Sequence, residues 1–335
     1  MAAFVYPTDG RVYLTPAAAP CPVPLMMGRR FGFFTLTDNI RGILLMVLAR
    51  LVFAGSDTCT KLASSHLPAT EVIVMRNLIS LPIIFTLAWN LGGLRYKAAF
   101  RDRAVIGRSV LEGTGTIAFV AALPFITLGQ SAVILLTVPI ILVALSALIY
   151  KEDVGWRRWS AIFIGFFGVV LVANPFGGSV NPYLLLAQFT AVTWAFRDLI
   201  TVRIGNRIPS VTVALINTIV VGLIAVPGVF WEHWRGFDQR ELSYLVGAGI
   251  LVTISNYLYI AALRTGAISV VAPFRYSAAV WASIAGFIVW GDIPDLYGVS
   301  GALLIVGSGL YTFYRELDIK RARRAEVFSP AGQRR

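Results

Sequence analysis

Eight charged side chains stand inside long apolar runs of this sequence: Arg50, Asp57, Arg76, Arg108, Glu112, Arg197, Asp198 and Arg275. At the centre of a bilayer a charged residue costs about 2.5–3.5 kcal/mol on insertion scales, so the set does not face lipid. Each member must pair with another, reach the interface along its own stem, or line a wetted path. Five are arginines and three are acids. That positive balance suits a carboxylate, a phosphate or an electron-rich heterocycle better than a bare cation.

Spacing separates these residues. Arg108 and Glu112 are four apart and face each other along one helix, with Arg108 close enough to the end of its run to snorkel. Arg197 and Asp198 lie near the end of theirs, where a structural ion pair and a functional one are equally good readings. Arg50, Ala54, Asp57 and Lys61 recur at helical spacing as one stripe. Arg76 and Arg275 have no acid one turn away, so their partners come from another helix or from a bound solute.

Arg275 is the foremost candidate. It lies about 12 Å into its run when residues are counted from Ala267 at the helical rise. It follows Pro273, whose missing N–H loosens the helix and frees carbonyls, as Pro139 does in an earlier run. Phe274, Tyr276, Tyr257 and Trp194 offer faces on which a flat solute stacks, or they pack between helices. The candidate binding residues are Arg275, Tyr276, Arg76, Trp194, Asn256 and Tyr257. Asp57 and Glu112 are the candidates for proton coupling, since a carboxyl group can carry a proton through a low-dielectric interior.

Other chemistry finds little support. The two histidines, His66 and His233, belong to no H-E-x-x-H pattern, and no phosphate-binding G-x-x-x-x-G-K-[ST] occurs. No nucleophile stands beside a base. The reading is of no catalytic residue, no metal, no cofactor and no enzyme. Cys21 and Cys59 suggest no disulfide framework. Gly307-Ser308-Gly309 falls inside the last run and reads as a site of close helix packing.

The elements that must hold these residues follow from composition. Of 335 residues, 57% are hydrophobic and 14% charged. The apolar runs fall at 43–63, 71–90, 105–123, 130–149, 157–173, 183–202, 210–230, 243–262, 267–290 and 296–314, each about the length that spans a bilayer core. A net charge of +12 does not imply nucleic acid, because the basic residues follow alternate loops. Arg95, Lys97, Arg101, Arg103, Lys151, Arg157, Arg158, Arg203, Arg207, Arg264 and the tail after Tyr314 fall on one side; only Lys61, Arg235 and Arg240 fall on the other. By the positive-inside rule both termini are cytoplasmic. Residues 1–40 read as a disordered leader without a cleavable signal, and 315–335 as a charged tail, helical to about 326. In the outer loop Trp231–Glu241, Trp231 and Trp234 read as interfacial anchors.

The chain also repeats itself. Ala121-Ala122-Leu123 precedes Glu152 by the same interval that separates Ala261-Ala262-Leu263 from Asp292, and the halves superpose at a shift of about 140 residues. Five runs per half is odd, so the second half is inverted relative to the first.

At these positions the sequence resembles a family. Phe119–Leu171, with Pro139, Lys151-Glu152, Gly165 and Gly168, and its second copy Tyr259–Tyr311 are similar to the EamA repeat of the drug/metabolite transporter (DMT) superfamily. The opening from Asp38 to Met46, followed by Asp57 and Lys61, fits the first span of bacterial members. The resemblance implies an all-α integral membrane fold of ten helices in two inverted halves, 41–175 and 182–314, around a central cavity. Ala279 departs from it, standing where the first copy has Pro139, and so does Arg275-Tyr276. Ala272 to Ser277, Trp290 to Asp295 and Ser308 to Tyr311 resemble, more weakly, bacterial transporters for riboflavin or S-adenosylmethionine uptake. The implied function is secondary transport of a small organic metabolite across the inner (plasma) membrane of a bacterium, acting as a monomer or homodimer. The alternatives are an exporter of amino acids or toxic aromatic compounds, and, from another class, a non-transporting membrane scaffold or a membrane enzyme.

Overall fold

Local chemistry sets the ends of the helices. Asp102 caps one, accepting from the Ala104 and Val105 amides at 2.8 and 3.3 Å. Thr127 and Gln130 close a reciprocal capping box at the start of another. Pro68 and Pro209 precede two more, fixing the entry of the chain where no intrahelical N–H is needed. Gly291 ends a helix in the left-handed region at φ 72°, a conformation that penalises any side chain with a Cβ.

The structure, a computed structural model, describes residues 36–150, 156–172, 181–204, 208–265, 268–293 and 295–327. Twelve α-helices follow in chain order among the described residues. They are α1 (Leu36–Ser64), α2 (Ala69–Asn90), α3 (Arg103–Ala122), α4 (Leu128–Leu135), α5 (Val138–Tyr150) and α6 (Trp156–Val172), then α7 (Tyr183–Ile204), α8 (Ser210–Ala225), α9 (Gln239–Thr265), α10 (Ile268–Val271), α11 (Ser277–Trp290) and α12 (Leu296–Val327). No strand occurs among the described residues. Among the described residues, six segments are long and apolar enough to cross a bilayer: Asp38–Ser64, Ala69–Asn90, Arg103–Phe125, Leu128–Leu145, Ser210–Phe230 and Gln239–Tyr259. Trp159–Val172 and Leu296–Thr312 are shorter apolar helices. The leader before Leu36 and the acidic turn at Glu152 lie outside the described residues.

Two apolar runs are interrupted where the sequence places proline. The run 130–149 is divided into α4 and α5 at Leu136 and Thr137, just before Pro139. The run 267–290 is divided into α10, a 3-10 segment Ala272–Tyr276 around Pro273, and α11. Arg275 therefore sits on a 3-10 turn with a steeper rise per residue, and a depth counted on one straight α-helix does not apply to it. The helix of the last run continues into the charged tail, and α12 reaches Val327, close to the expected end near 326.

Small residues bring the helices together. In a bilayer, lipid tails compete equally for apolar side chains, so close backbone approach and interhelical hydrogen bonds do the work. α1 and α9 pack antiparallel: Ser56 Oγ donates to the Ala248 carbonyl at 3.1 Å and Ser255 Oγ to the Ala49 carbonyl at 3.0 Å. α3 and α7 pack the same way, with Thr190 Oγ1 donating to the Gly115 carbonyl at 3.0 Å. α2 lies between α8 and α9, and Ser80 Oγ reaches the Gly249 carbonyl at 3.0 Å. α6 meets α12 glycine on glycine: a Cβ on Gly301 would lie 2.5 Å from the Gly168 carbonyl oxygen. Gly309 packs against Tyr276, in keeping with a packing role for that glycine, whereas Gly307 faces open space. Leu44, Trp89, Phe163, Phe167, Leu223 and Ile288 are exposed, an apolar coat of the kind lipid covers.

The loop after α8 departs from its reading as a simple interfacial anchor. Trp231 is exposed, but Trp234 Nε1 donates to Thr70 Oγ1 at 3.0 Å. Glu232 accepts from the Thr70 amide and hydroxyl at 2.9 and 2.6 Å. The Gly236 amide donates to Glu71 at 3.1 Å. The loop is thus fastened to the start of α2.

Candidate functional site

The charged residues of the apolar runs assemble into one array that crosses the interior. Its densest part joins α3 and α7. Glu112 accepts from Arg197 Nη1 at 2.7 Å and lies 3.6 Å from Arg108 Nη2. Arg197 also binds Asp198 at 2.8 Å and lies 5.0 Å from the centre of the Trp194 ring. Arg108 is fixed further by Thr201 Oγ1 at 3.0 Å and Asn217 Oδ1 at 3.1 Å. It does not snorkel freely; it is held by α7 and α8. Two acids and two arginines, each bonded more than once, satisfy most of the donors and acceptors that burial would otherwise leave costly.

The second part centres on α1. Asp57 feels Arg76 of α2 and Arg50, two turns away on its own helix. It makes no ion pair within 4 Å among the described residues. Arg76 lies 3.5 Å from Thr60 Oγ1, its Nε is buried without a partner, and it feels both Asp57 and Glu112. Arg76 therefore links the two parts of the array. The Arg50 guanidinium lies 4.6 Å from the centre of the Tyr259 ring, and its Nε is likewise buried without a partner. Arg275 of the 3-10 turn acts on Arg50 as a like charge and makes no ion pair among the described residues.

Of the residues singled out from sequence, Asp57, Arg76, Glu112 and Arg275 join this array. Trp194 borders it: its ring lies 6.0 Å from Phe119, and its Nε1 is buried without a partner. Tyr276 turns instead to α12, where its hydroxyl abuts Gly309. Asn256 is exposed. Tyr257 is exposed with Ile250 and Ile254, one apolar stripe of α9 turned away from α1. Asn256 and Tyr257 are not brought together with Arg275, whereas Tyr276 stays close enough for the Arg275 charge to act on its hydroxyl.

Sequence reasoning passed over Tyr259, Thr60, Asn217 and Gln188, whose two amide atoms are both buried without partners. A signal for Tyr259 was present. Ala248, Ser255 and Ala262, which share its face of α9 at helical spacing, are buried against α1. That face, rather than the one bearing Tyr257, is turned to Arg50.

Lys61, the last of the α1 stripe, stands apart from the array. Its Nζ donates to the Ile126 carbonyl at 2.7 Å, lies 4.5 Å from the centre of the Trp290 ring and feels Asp292.

A polytopic helical chain with an apolar exterior and arginines and carboxylates gathered between its helices has the build of a membrane transporter. The chain belongs to the EamA-like transporter family, whose model matches residues 40–174 and again 181–314. It is 23% identical to an S-adenosylmethionine uptake transporter of Rickettsia prowazekii (strain Madrid E), over 84% of this chain and 95% of that protein. It is 26% identical to a riboflavin transporter of Vibrio cholerae, over 85% and 96%. It is 23% identical to a pseudopaline exporter of Pseudomonas aeruginosa, over 79% and 93%. A solved structure described as a crystal structure of protein shares the fold at a TM-score of 0.57 and 19% identity, covering 82% of this chain and 98% of its own. The family and these relatives are transporters rather than enzymes.

Proposed function

We propose that the chain is a secondary transporter that moves a small organic metabolite across the inner membrane of a bacterium by alternating access. The observation that carries this reading is the charge array. It runs from Arg275 through Arg50, Asp57, Arg76 and Glu112 to Arg197, so it draws on helices from both ends of the sequence. Charges placed so deep are costly unless a solute path needs them.

Ten spans in two inverted halves, 41–175 and 182–314, form the scaffold we assign, with both termini cytoplasmic. The packing supports it. The α3–α7 contact at Gly115 and Thr190 has its counterpart, about 140 residues on, in the α9–α1 contact at Ser255 and Ala49. The broken pair α4–α5 likewise has a counterpart in α10–α11. Breaks at equivalent places in the two halves are where transporters of this build place their sites.

In this reading Arg275, Arg76 and Trp194 face the solute, and Asn256, Tyr257 and Tyr276 contribute only if the halves move. Asp57 is the carboxylate assigned to proton coupling, because Glu112 is already bonded to two arginines. A flat heterocyclic metabolite such as S-adenosylmethionine or riboflavin is the proposed cargo, taken up. Export is a second reading, favoured by the likeness to the pseudopaline exporter. The test is uptake of labelled metabolites into vesicles containing the purified protein, with and without a pH gradient. Concentrative uptake of one solute is expected. Vesicles that take up nothing above protein-free controls, in either orientation, would overturn the reading.

A further inference from the structure

We propose that Arg50 and Arg275, with Tyr259 behind Arg50, form a two-armed clamp for a carboxylate group of the transported solute. The proposal rests on the transporter reading and narrows its cargo to carboxylate-bearing solutes.

The first ground is charge balance. Arg50 comes from α1 and Arg275 from the 3-10 turn before α11, and they are near enough to repel. Buried like charges strengthen each other's cost in a low dielectric, and an anion between them reverses it. The acid that acts on Arg50 is Asp57, and it is shared with Arg76. Glu112 is taken by Arg197 and Arg108. Two arginines, Arg50 and Arg76, thus share Asp57, and Arg275 has no ion pair of its own among the described residues.

The second ground is geometry. The Arg50 guanidinium lies over the Tyr259 ring, 4.6 Å from its centre, while its Nε is buried and unpartnered. Tyr259 engages part of the guanidinium, and the buried, unpartnered Nε is the donor left on its edge for a carboxylate oxygen. Further along α11, which packs on α1, Ser277 Oγ and Trp281 Nε1 are also buried without partners and lie one turn apart on the helix. They are donors for the rest of a polar solute. The clamp takes one arm from each end of the chain, so a bound carboxylate would draw α1 and the α10–α11 break together.

The clamp separates the cargoes named for the relatives. S-adenosylmethionine carries a carboxylate on its amino-acid end; riboflavin carries none. The test is binding to the purified full-length protein in detergent, read by thermal stabilisation and by radioligand binding. The matched probes are S-adenosylmethionine against its decarboxylated form and tryptophan against tryptamine, with riboflavin as the uncharged solute. The acid of at least one pair is expected to bind tenfold or more tighter than its decarboxylated partner. Arg50→Gln and Arg275→Gln should each erase that preference, and Arg50→Lys, which keeps the charge but loses the fork, should retain only part of it. Arg275→Gln alone suffices if Arg50→Gln does not fold. Equal binding of acid and decarboxylated probes, or binding of riboflavin alone, would overturn the clamp and leave the transporter reading standing. A folded, monodisperse protein that binds none of the probes would overturn both.

Discussion

Glu112 and Arg197 meet at 2.7 Å across the contact of α3 and α7, although 85 positions separate them in the sequence. Arg108 approaches the same carboxylate oxygen at 3.6 Å. The carboxylate is therefore part of the joint between two helices. Removing one member of such a buried set leaves the others unpaired, at a cost of about 3–5 kcal/mol. Glu112→Gln is expected to lower membrane abundance and thermal stability, and Arg197→Gln to do the same. The double variant should lose less than the two single losses added, as residues in direct contact do. Normal abundance and melting of Glu112→Gln would show that the joint does not need this ion pair.

Asp57 is placed differently. It stands between Arg50 and Arg76 without an ion pair of its own among the described residues. Asp57→Asn keeps the shape and removes the proton-carrying group. The variant should reach the membrane at near-normal levels. Its uptake should no longer respond to a pH gradient, whereas exchange of labelled for unlabelled solute across the membrane should survive. Uptake by Asp57→Asn with the pH response of the parent protein would place the coupling elsewhere.

Lys61 clasps the end of α1 to the turn after α3 and to the end of α11 through Ile126 and Trp290. Lys61→Met keeps the stem and loses the ammonium. A charge-assisted hydrogen bond of this kind contributes about 1.5–3 kcal/mol. The melting temperature of Lys61→Met should fall accordingly, and Trp290→Leu should produce a smaller fall through the lost cation–π contact. Unchanged melting of Lys61→Met would remove the clasp from the account.

Orientation has a direct measurement. A reporter fused after Arg335 should read cytoplasmic, and one inserted within 177–180 should read on the outer face. A C-terminal reporter on the outer face would overturn both the positive-inside assignment and the inverted halves.

By itself the sequence determined the class of protein. Runs of apolar residues of bilayer length follow from the solvent the chain must meet, because a bilayer constrains every residue of a span alike. Proline positions in the runs 130–149 and 267–290 likewise foretold where helices break, because a missing N–H acts locally. Only the tertiary structure decided which charges meet. Helical spacing names the face a side chain occupies but not the helix opposite it. Periodicity therefore paired Arg108 with Glu112, yet could not show that Arg197 binds the same carboxylate more closely. The same gap explains Tyr257 and Tyr259. The two lie on different faces of α9, and packing against α1 turned Tyr259 to Arg50 and left Tyr257 with Ile250 and Ile254 on the exposed stripe.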